Sequence, residues 1–166
     1  MSRVIRLAAL ALVLGARCGT TNAGPDPAAS ASPRAQPTGK VEWVKMPADV
    51  APASFIVSEL ARAEKDKKKL VIYVGATWCE PCQRFHEAAN AGQLDAQFPD
   101  LRLIELDRDA DDAILGGLAC GSRLIPLFAL PDPAGHCTDR RVEGGIKGEG
   151  AVAYIGPRLR TLLGPI

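Results

Sequence analysis

Residues 41–166 alternate between short apolar runs and longer segments whose apolar residues recur at helical spacing. The run 70–74 is apolar and β-branched and ends at Gly75, which predicts a buried central strand. Residues 54–66 place apolar side chains on one side of a predicted helix and charges on the other. The pattern predicts further strands at 41–44, 101–106, 127–130 and 140–146, and further helices at 80–91, 110–120 and 149–163. This order, β-α-β-α-β-α-β-β-α, predicts an α/β domain with a mixed sheet, and Pro157 is expected to kink or restart the last helix.

The first residues predict an export signal. Arg3 and Arg6 precede an apolar run at 7–14, which is too short to cross a bilayer but fits the core of a secretory signal. Residues 24–40 are rich in proline, alanine and serine and hold no Val, Ile, Leu or aromatic residue. They therefore predict a flexible tether, because they cannot bury enough apolar surface to fold. The folded domain is expected to occupy residues 41–166.

Two ways of processing the signal stay open. A signal peptide over 1–23 would be cleaved after Ala23, and the product would not be lipidated. A lipoprotein signal over 1–17 would leave Cys18 acylated, although Arg17 is a poor fit directly before that cysteine. Both interpretations predict an exported protein, in the periplasm or cell envelope, and only the second predicts membrane attachment.

Charge argues against nucleic acid as the main partner. The whole chain has a net charge of +1, but residues 1–40 hold five of the 20 basic residues and one of the 19 acidic ones. Residues 41–166 are therefore slightly acidic, at −3. A surface that binds phosphates needs a basic face, which this balance does not favour.

The chemistry is concentrated in Trp78-Cys79-Glu80-Pro81-Cys82, where a predicted helix follows the central strand. The unpaired N–H groups of a helix N-terminus are expected to lower the thiol pKa of Cys79. Cys82, one turn along, can then attack a mixed disulfide formed at Cys79, so the pair can cycle between dithiol and disulfide. Pro81 fits the first turn because no helical hydrogen bond is lost there, and Trp78 is expected to cover one side of the pair.

Trp78, Cys79, Pro81 and Cys82 resemble the thioredoxin superfamily, and the resemblance covers most of residues 41–166. Ile125-Pro126 lies where that family has a cis-proline loop facing the cysteines. The resemblance therefore implies a thioredoxin fold, a cis Pro126 and a substrate segment held by the backbone of Ile125. The opening of the domain looks most like the exported branch, similar to the periplasmic C-terminal domain of the transmembrane thiol-reductant transporter.

Two residues shape the expected activity. Thioredoxins carry a buried acid six residues before the first cysteine, but this chain has Tyr73, which is neutral near pH 7. The Cys82 proton must then pass to water, to a carboxylate such as Glu80 or to the substrate. Glu80 also disfavours the Cys79 thiolate, which favours the disulfide and makes the reduced protein a better reductant.

The sequence thus predicts an exported thiol–disulfide oxidoreductase, with Cys79 as nucleophile and Cys82 as resolving residue. Trp78, Ile125 and Pro126 would contact the substrate, and Glu80 and Pro81 would tune the redox chemistry. The partners would be exported proteins with disulfides or thiols, and a membrane or periplasmic redox partner that resets the pair. No cofactor is needed, because the cysteines carry the electrons. The alternative is a non-enzymatic thioredoxin-like scaffold or a soft-metal module for Cu(I).

Four further features have plainer interpretations. His86 is the one nearby candidate for a third metal ligand, and it is expected to be an ordinary exposed helix residue. The aspartates at 107, 109, 111 and 112 lack the spacing of a calcium loop and are expected to end a strand and open a helix. Cys120 is expected to be a small buried residue, and Cys137 to lie in a turn far from the active site. A bridge between these two cysteines is disfavoured, although two unpaired thiols would be unusual in an oxidising compartment.

Overall fold

The computed structural model describes residues 39–164. The signal segment, Cys18 and most of the predicted tether lie outside these residues. Within the described range, no helix is long and apolar enough to cross a membrane. The elements are β1 (Glu42–Lys45), α1 (Pro52–Lys65), β2 (Lys69–Gly75), α2 (Glu80–Asn90), β3 (Leu101–Asp107), α3 (Asp112–Gly117), β4 (Leu127–Pro131), β5 (Cys137–Glu143) and α4 (Ala151–Leu163).

The five strands form one mixed sheet in the order β1-β3-β2-β4-β5. β3 pairs in parallel with β1 and β2, whereas β4 is antiparallel to both β2 and β5. The carboxyl ends of the three parallel strands therefore lie at one edge of the sheet, and β2 leads from that edge directly into α2. This topology confirms the predicted α/β thioredoxin fold.

Helices cover both faces of the sheet, so each strand contributes to two apolar cores. Val71 and Tyr73 pack on the face that holds the buried side chains of α2 and α4. Leu70, Ile72 and Val74 alternate with them and pack on the face that holds α1 and α3. Successive side chains of a strand point to opposite faces of the sheet. Because helices bury both faces at β2, every position of this strand is apolar in the sequence from Leu70 to Val74.

Three predicted elements differ clearly from the structure. α3 covers only Asp112–Gly117 and is shorter than the helix predicted at 110–120, because its two glycines disfavour helix. β5 begins at Cys137 and ends at Glu143, three residues earlier than predicted at each end. β5 is an edge strand in which Asp139 and Arg140 are exposed. Its sequence is therefore as polar as that of a loop, which displaced the prediction. The last helix does not restart at Pro157, because that residue is exposed while Ile155 and Leu159 hold the helix in the core.

Candidate active site

The strand-to-helix junction places Cys79 at the N-cap of α2. Its backbone is extended, with φ −83° and ψ 103°, and its Sγ accepts a hydrogen bond from the Cys82 backbone N–H at 3.3 Å. The Cys79 carbonyl accepts from Gln83 N–H at 3.0 Å, which starts the helical ladder. Pro81 lies in the first turn, where its missing N–H removes no helical hydrogen bond. The local sequence therefore builds a helix start directly around the two sulfurs.

Cys79 and Cys82 form a disulfide, with a Cα–Cα distance of 5.2 Å. In this oxidised form the two residues are only 4% and 3% exposed. Exposure therefore does not distinguish the two sulfurs, and the position of Cys79 at the helix N-cap is what sets it apart. A thiolate there is stabilised by the N–H groups and the positive potential of the helix end.

The Ile125–Pro126 peptide bond is cis, as the family resemblance implies. Gly145 is close to both Pro126 and Pro81, which lies in the first turn of α2. A Cβ on Gly145 would lie 2.8 Å from Pro81 Cβ and 3.5 Å from Pro126 Cδ. Gly145 therefore lets the cis-proline loop and the cysteine turn come together. The sequence signal for this contact is a Gly-Gly pair after β5, which is too common to identify it.

Trp78 is 61% exposed and points its ring nitrogen toward the segment after β3. Its Nε1–H donates to Asp109 Oδ2 at 2.6 Å. The Asp107 Oδ1 accepts from the backbone N–H groups of Asp109 and Ala110, which fixes this segment. The aspartates here end β3 and shape the turn before α3, as expected. Across the described part of the chain, no group of three or more His, Cys, Asp or Glu side chains is arranged to hold a metal ion.

The Glu80 carboxylate is bound by Arg84, one turn along α2, and by the backbone of the loop before α4. Arg84 Nε donates to Glu80 Oε1 at 3.1 Å, and the Gly148 backbone N–H lies 3.1 Å from both carboxylate oxygens. The hydrogen bond from Arg84, followed by that from Gly148, lowers the pKa of Glu80. Glu80 is therefore a weak proton acceptor, and the Arg84 charge offsets part of its effect on the Cys79 thiolate.

Tyr73 is 1% exposed, and its hydroxyl has no hydrogen-bond partner among the described residues. Burial raises the pKa of this phenol well above its ordinary value, so the hydroxyl stays neutral. Its oxygen would lie 2.5 Å from a Cβ on Gly75, a contact that only glycine avoids. At this position the chain therefore offers no carboxylate to take a proton from Cys82.

Sequence reasoning missed the environment of His86. The residue was expected to be an ordinary exposed helix residue, but its ring stacks on Trp43 at 3.8 Å between centroids, and its Nε2 lies 2.7 Å from Glu105 Oε1. Both partners come from strands that are distant in the sequence, so only the sheet order brings them to α2. The one signal available was the four-residue spacing from Cys82, which puts both side chains on one face of the helix.

Cys120 and Cys137 form a second disulfide, and the expectation against this bridge was wrong. The turn between β4 and β5 does lie at the sheet edge opposite the active site. However, α3 runs from the active-site edge back toward that turn and delivers Cys120 beside it. The Cys137 backbone N–H donates to the Leu118 carbonyl at 2.8 Å, and the two cysteine Cα atoms are 5.1 Å apart. Both residues are buried.

No protein-family model and no curated protein matches the chain. Among solved structures it is similar to a mutant thioredoxin from Halobacterium salinarum NRC-1. The identity is 20%, the match covers 76% of this chain and 94% of that one, and the TM-score is 0.43.

Proposed function

We propose that this chain is an exported thiol–disulfide oxidoreductase that reduces disulfides in other exported proteins. The observation that carries the proposal is the Cys79–Cys82 disulfide at the N-terminus of α2, together with the cis peptide bond before Pro126, a proline that approaches Gly145 as Pro81 does. A two-residue spacing at a helix start gives one sulfur a stabilised thiolate and holds the other within reach of it.

In the proposed reaction the Cys79 thiolate attacks one sulfur of a substrate disulfide. The substrate S–S bond breaks, its other sulfur leaves with the electron pair, and Cys79 is joined to the substrate in a mixed disulfide. Cys82 then attacks Cys79, releases the second substrate sulfur and closes the Cys79–Cys82 bond. Two electrons pass to the substrate, and an exported or membrane-bound dithiol must supply two electrons to reset the pair.

Exposed apolar side chains next to the cysteines support a protein substrate. Trp78 precedes Cys79 and is 61% exposed, and Leu124 precedes the cis-proline loop and is 59% exposed. Ile146, 46% exposed, follows Gly145 in the segment that contacts Pro81. An unfolded or extended chain that presents a cystine can bury its apolar neighbours against these residues.

The direction of electron flow is proposed from Glu80. A carboxylate next to Cys79 makes the thiolate less stable than a neutral residue would, and Arg84 offsets only part of this effect. A less stable thiolate favours the disulfide form of the protein, so the reduced protein gives up its electrons more readily.

Trapping of the mixed disulfide tests the proposal. The full chain should catalyse the reduction of a protein disulfide by dithiothreitol, and Cys79→Ser should abolish this activity. Cys82→Ser should accumulate a substrate joined to Cys79, visible by mass spectrometry of the linked peptides. As a control, the double variant Cys120→Ala/Cys137→Ala should retain exchange. Unchanged activity in Cys79→Ser would refute the proposal, and Cu(I) binding by the reduced pair without exchange would favour a metal-binding module.

Export itself rests on residues 1–23 and is tested separately. Expression of the full chain in a bacterium with two membranes, followed by fractionation, should place the product in the envelope. The intact mass then distinguishes cleavage after Ala23 from acylation of Cys18. A cytoplasmic product with an intact N-terminus would contradict this part of the proposal.

A further inference from the structure

Resolution of the mixed disulfide requires Cys82 to lose its proton, and neither Tyr73 nor Glu80 suits the task of accepting it. Tyr73 is neutral and buried, and Glu80 is engaged by Arg84 and by the backbone of Gly148. The proton must therefore pass to the substrate, to water or to another side chain that water connects to the resolving sulfur.

The structure contains a cavity of about 710 Å³ beside Cys82. Cys82, Tyr73, His86 and Glu105 all line it. His86 lies one helical turn after Cys82 on α2, so both side chains project from the same face of the helix. The cavity has polar groups in its lining and is large enough for several waters, because one water needs about 30 Å³ of liquid volume.

The His86 ring is held in place on two sides. It stacks on Trp43 with an interplanar angle of 12°, and its Nε2 lies 2.7 Å from Glu105 Oε1. Glu105 is fixed on β3, where it pairs in register with Tyr73 of β2. An Nε2–H that donates to a carboxylate leaves Nδ1 as the accepting nitrogen of a neutral imidazole. A carboxylate in this position also stabilises the imidazolium that forms when Nδ1 takes a proton.

We propose that His86 accepts the proton of Cys82 through water in this cavity, and that Glu105 is the positioning residue that orients His86 for this transfer. The inference rests on the proposed function, because it assigns a step of the same exchange reaction.

The proposed proton transfer accompanies the attack of Cys82 on Cys79. The Cys82 S–H bond breaks, its proton passes to His86 Nδ1, and the sulfur electron pair forms the bond to Cys79. The bond between Cys79 and the substrate sulfur breaks, and its electron pair leaves with that sulfur as a thiolate. The imidazolium then returns the proton to water or to the departing thiolate, and His86 is neutral again.

Other titratable groups also face this cavity and enter the pH dependence. They are Lys45 from β1, Tyr73 from β2, Asp107 at the end of β3 and Asp111 before α3. Tyr73 stays neutral, and the two aspartates outnumber the lysine. These charges are the same in the wild type and in variants of His86. A comparison of the two therefore shows the effect of the imidazole alone on the rate of the second release.

Single-turnover kinetics with a chromogenic aromatic disulfide, dithio-bis-nitrobenzoate, separates the two steps. The reduced full chain, carrying Cys18→Ser, should release one nitrothiolate when Cys79 attacks and a second when Cys82 resolves the adduct. The second release of the wild type should already be fast at neutral pH. In His86→Gln the second release should be about a hundredfold slower at neutral pH and should rise only where a thiol ordinarily ionises, about pH 8.5. The first release should stay within about twofold of the wild type.

Two further variants make the test specific. His136→Gln removes the other histidine of the chain, which lies in the turn between β4 and β5, and should leave both releases unchanged. Glu105→Gln keeps a hydrogen-bond acceptor for His86 but removes the charge that stabilises the imidazolium. The second release should therefore be about tenfold slower than in the wild type at neutral pH, while the first release is unchanged. This variant also provides an independent test if His86→Gln does not fold.

The outcomes separate the two proposals. A wild-type protein that releases no nitrothiolate would overturn the proposed function. A wild type that releases two, with the same pH profile for the second release in His86→Gln and Glu105→Gln, would overturn the role of His86 alone.

Discussion

The Cys120–Cys137 disulfide should be a major source of stability, and its removal gives a quantitative test. The bridge closes a loop of 17 residues, for which the chain-entropy relation gives about 3 kcal/mol of stabilisation at 25 °C. The same relation gives only about 1.6 kcal/mol for Cys79–Cys82, which closes a loop of three. In the proposed reaction, the second bridge would therefore maintain the fold each time the active-site disulfide is broken.

We expect Cys120→Ala/Cys137→Ala to lower the free energy of unfolding by about 3 kcal/mol. With a slope of about 2 kcal/mol per molar urea, the unfolding midpoint should fall by about 1.5 M. The assay is equilibrium urea unfolding followed by circular dichroism, with Cys18→Ser as the cysteine control that should not move the midpoint. A double variant within about 0.5 kcal/mol of the wild type would refute this reasoning.

Three further predictions concern the site and its support. Gly145→Ala should slow disulfide exchange about tenfold, because the added Cβ would lie too close to Pro81. As a control, Gly116→Ala on α3 adds a Cβ with no atom within 4 Å and should not change the rate. Turnover coupled to dithiothreitol measures both variants. Arg102→Met should lower the free energy of unfolding by about 2 kcal/mol, measured in urea, because it removes the hydrogen bonds that this guanidinium donates to Glu42 at 3.0 Å and to Asp66 at 2.9 Å. An unchanged unfolding midpoint would contradict this prediction. Glu80→Gln should remove a contribution to stability that exists above the ordinary pKa of 4.5, because the folded-state pKa is lowered. That contribution disappears as the pH falls through the folded-state pKa of Glu80. The urea unfolding curves of the wild type and Glu80→Gln should therefore differ at about pH 7 and approach each other at acidic pH. A difference that does not change with pH would contradict this prediction.

Local patterns in the sequence predict the features that depend on neighbouring residues. The apolar run before Gly75 and the helical spacing after it place β2 and α2 to within a residue at each end. The Cys79–Cys82 spacing and the Ile125-Pro126 pair predict the disulfide and the cis peptide bond through the family resemblance.

Features that depend on how distant segments meet could not be predicted in the same way. The Cys120–Cys137 bridge depends on the direction in which α3 leaves β3, and the sequence carries no local signal for that direction. The His86–Glu105 contact needs the order of β1, β3 and β2, which places Glu105 opposite Tyr73. Both arrangements follow from packing across the sheet.

The central claim is that Cys79 and Cys82 form a reversible redox pair in this fold. Its most direct test equilibrates the full chain in dithiol–disulfide buffers of graded potential, followed by alkylation and peptide mass spectrometry. We predict one two-electron transition confined to Cys79 and Cys82, with a midpoint near the thioredoxin value of about −270 mV and with Cys120–Cys137 still oxidised. If Cys79 and Cys82 instead stay fully oxidised or fully reduced across the range, the claim is contradicted.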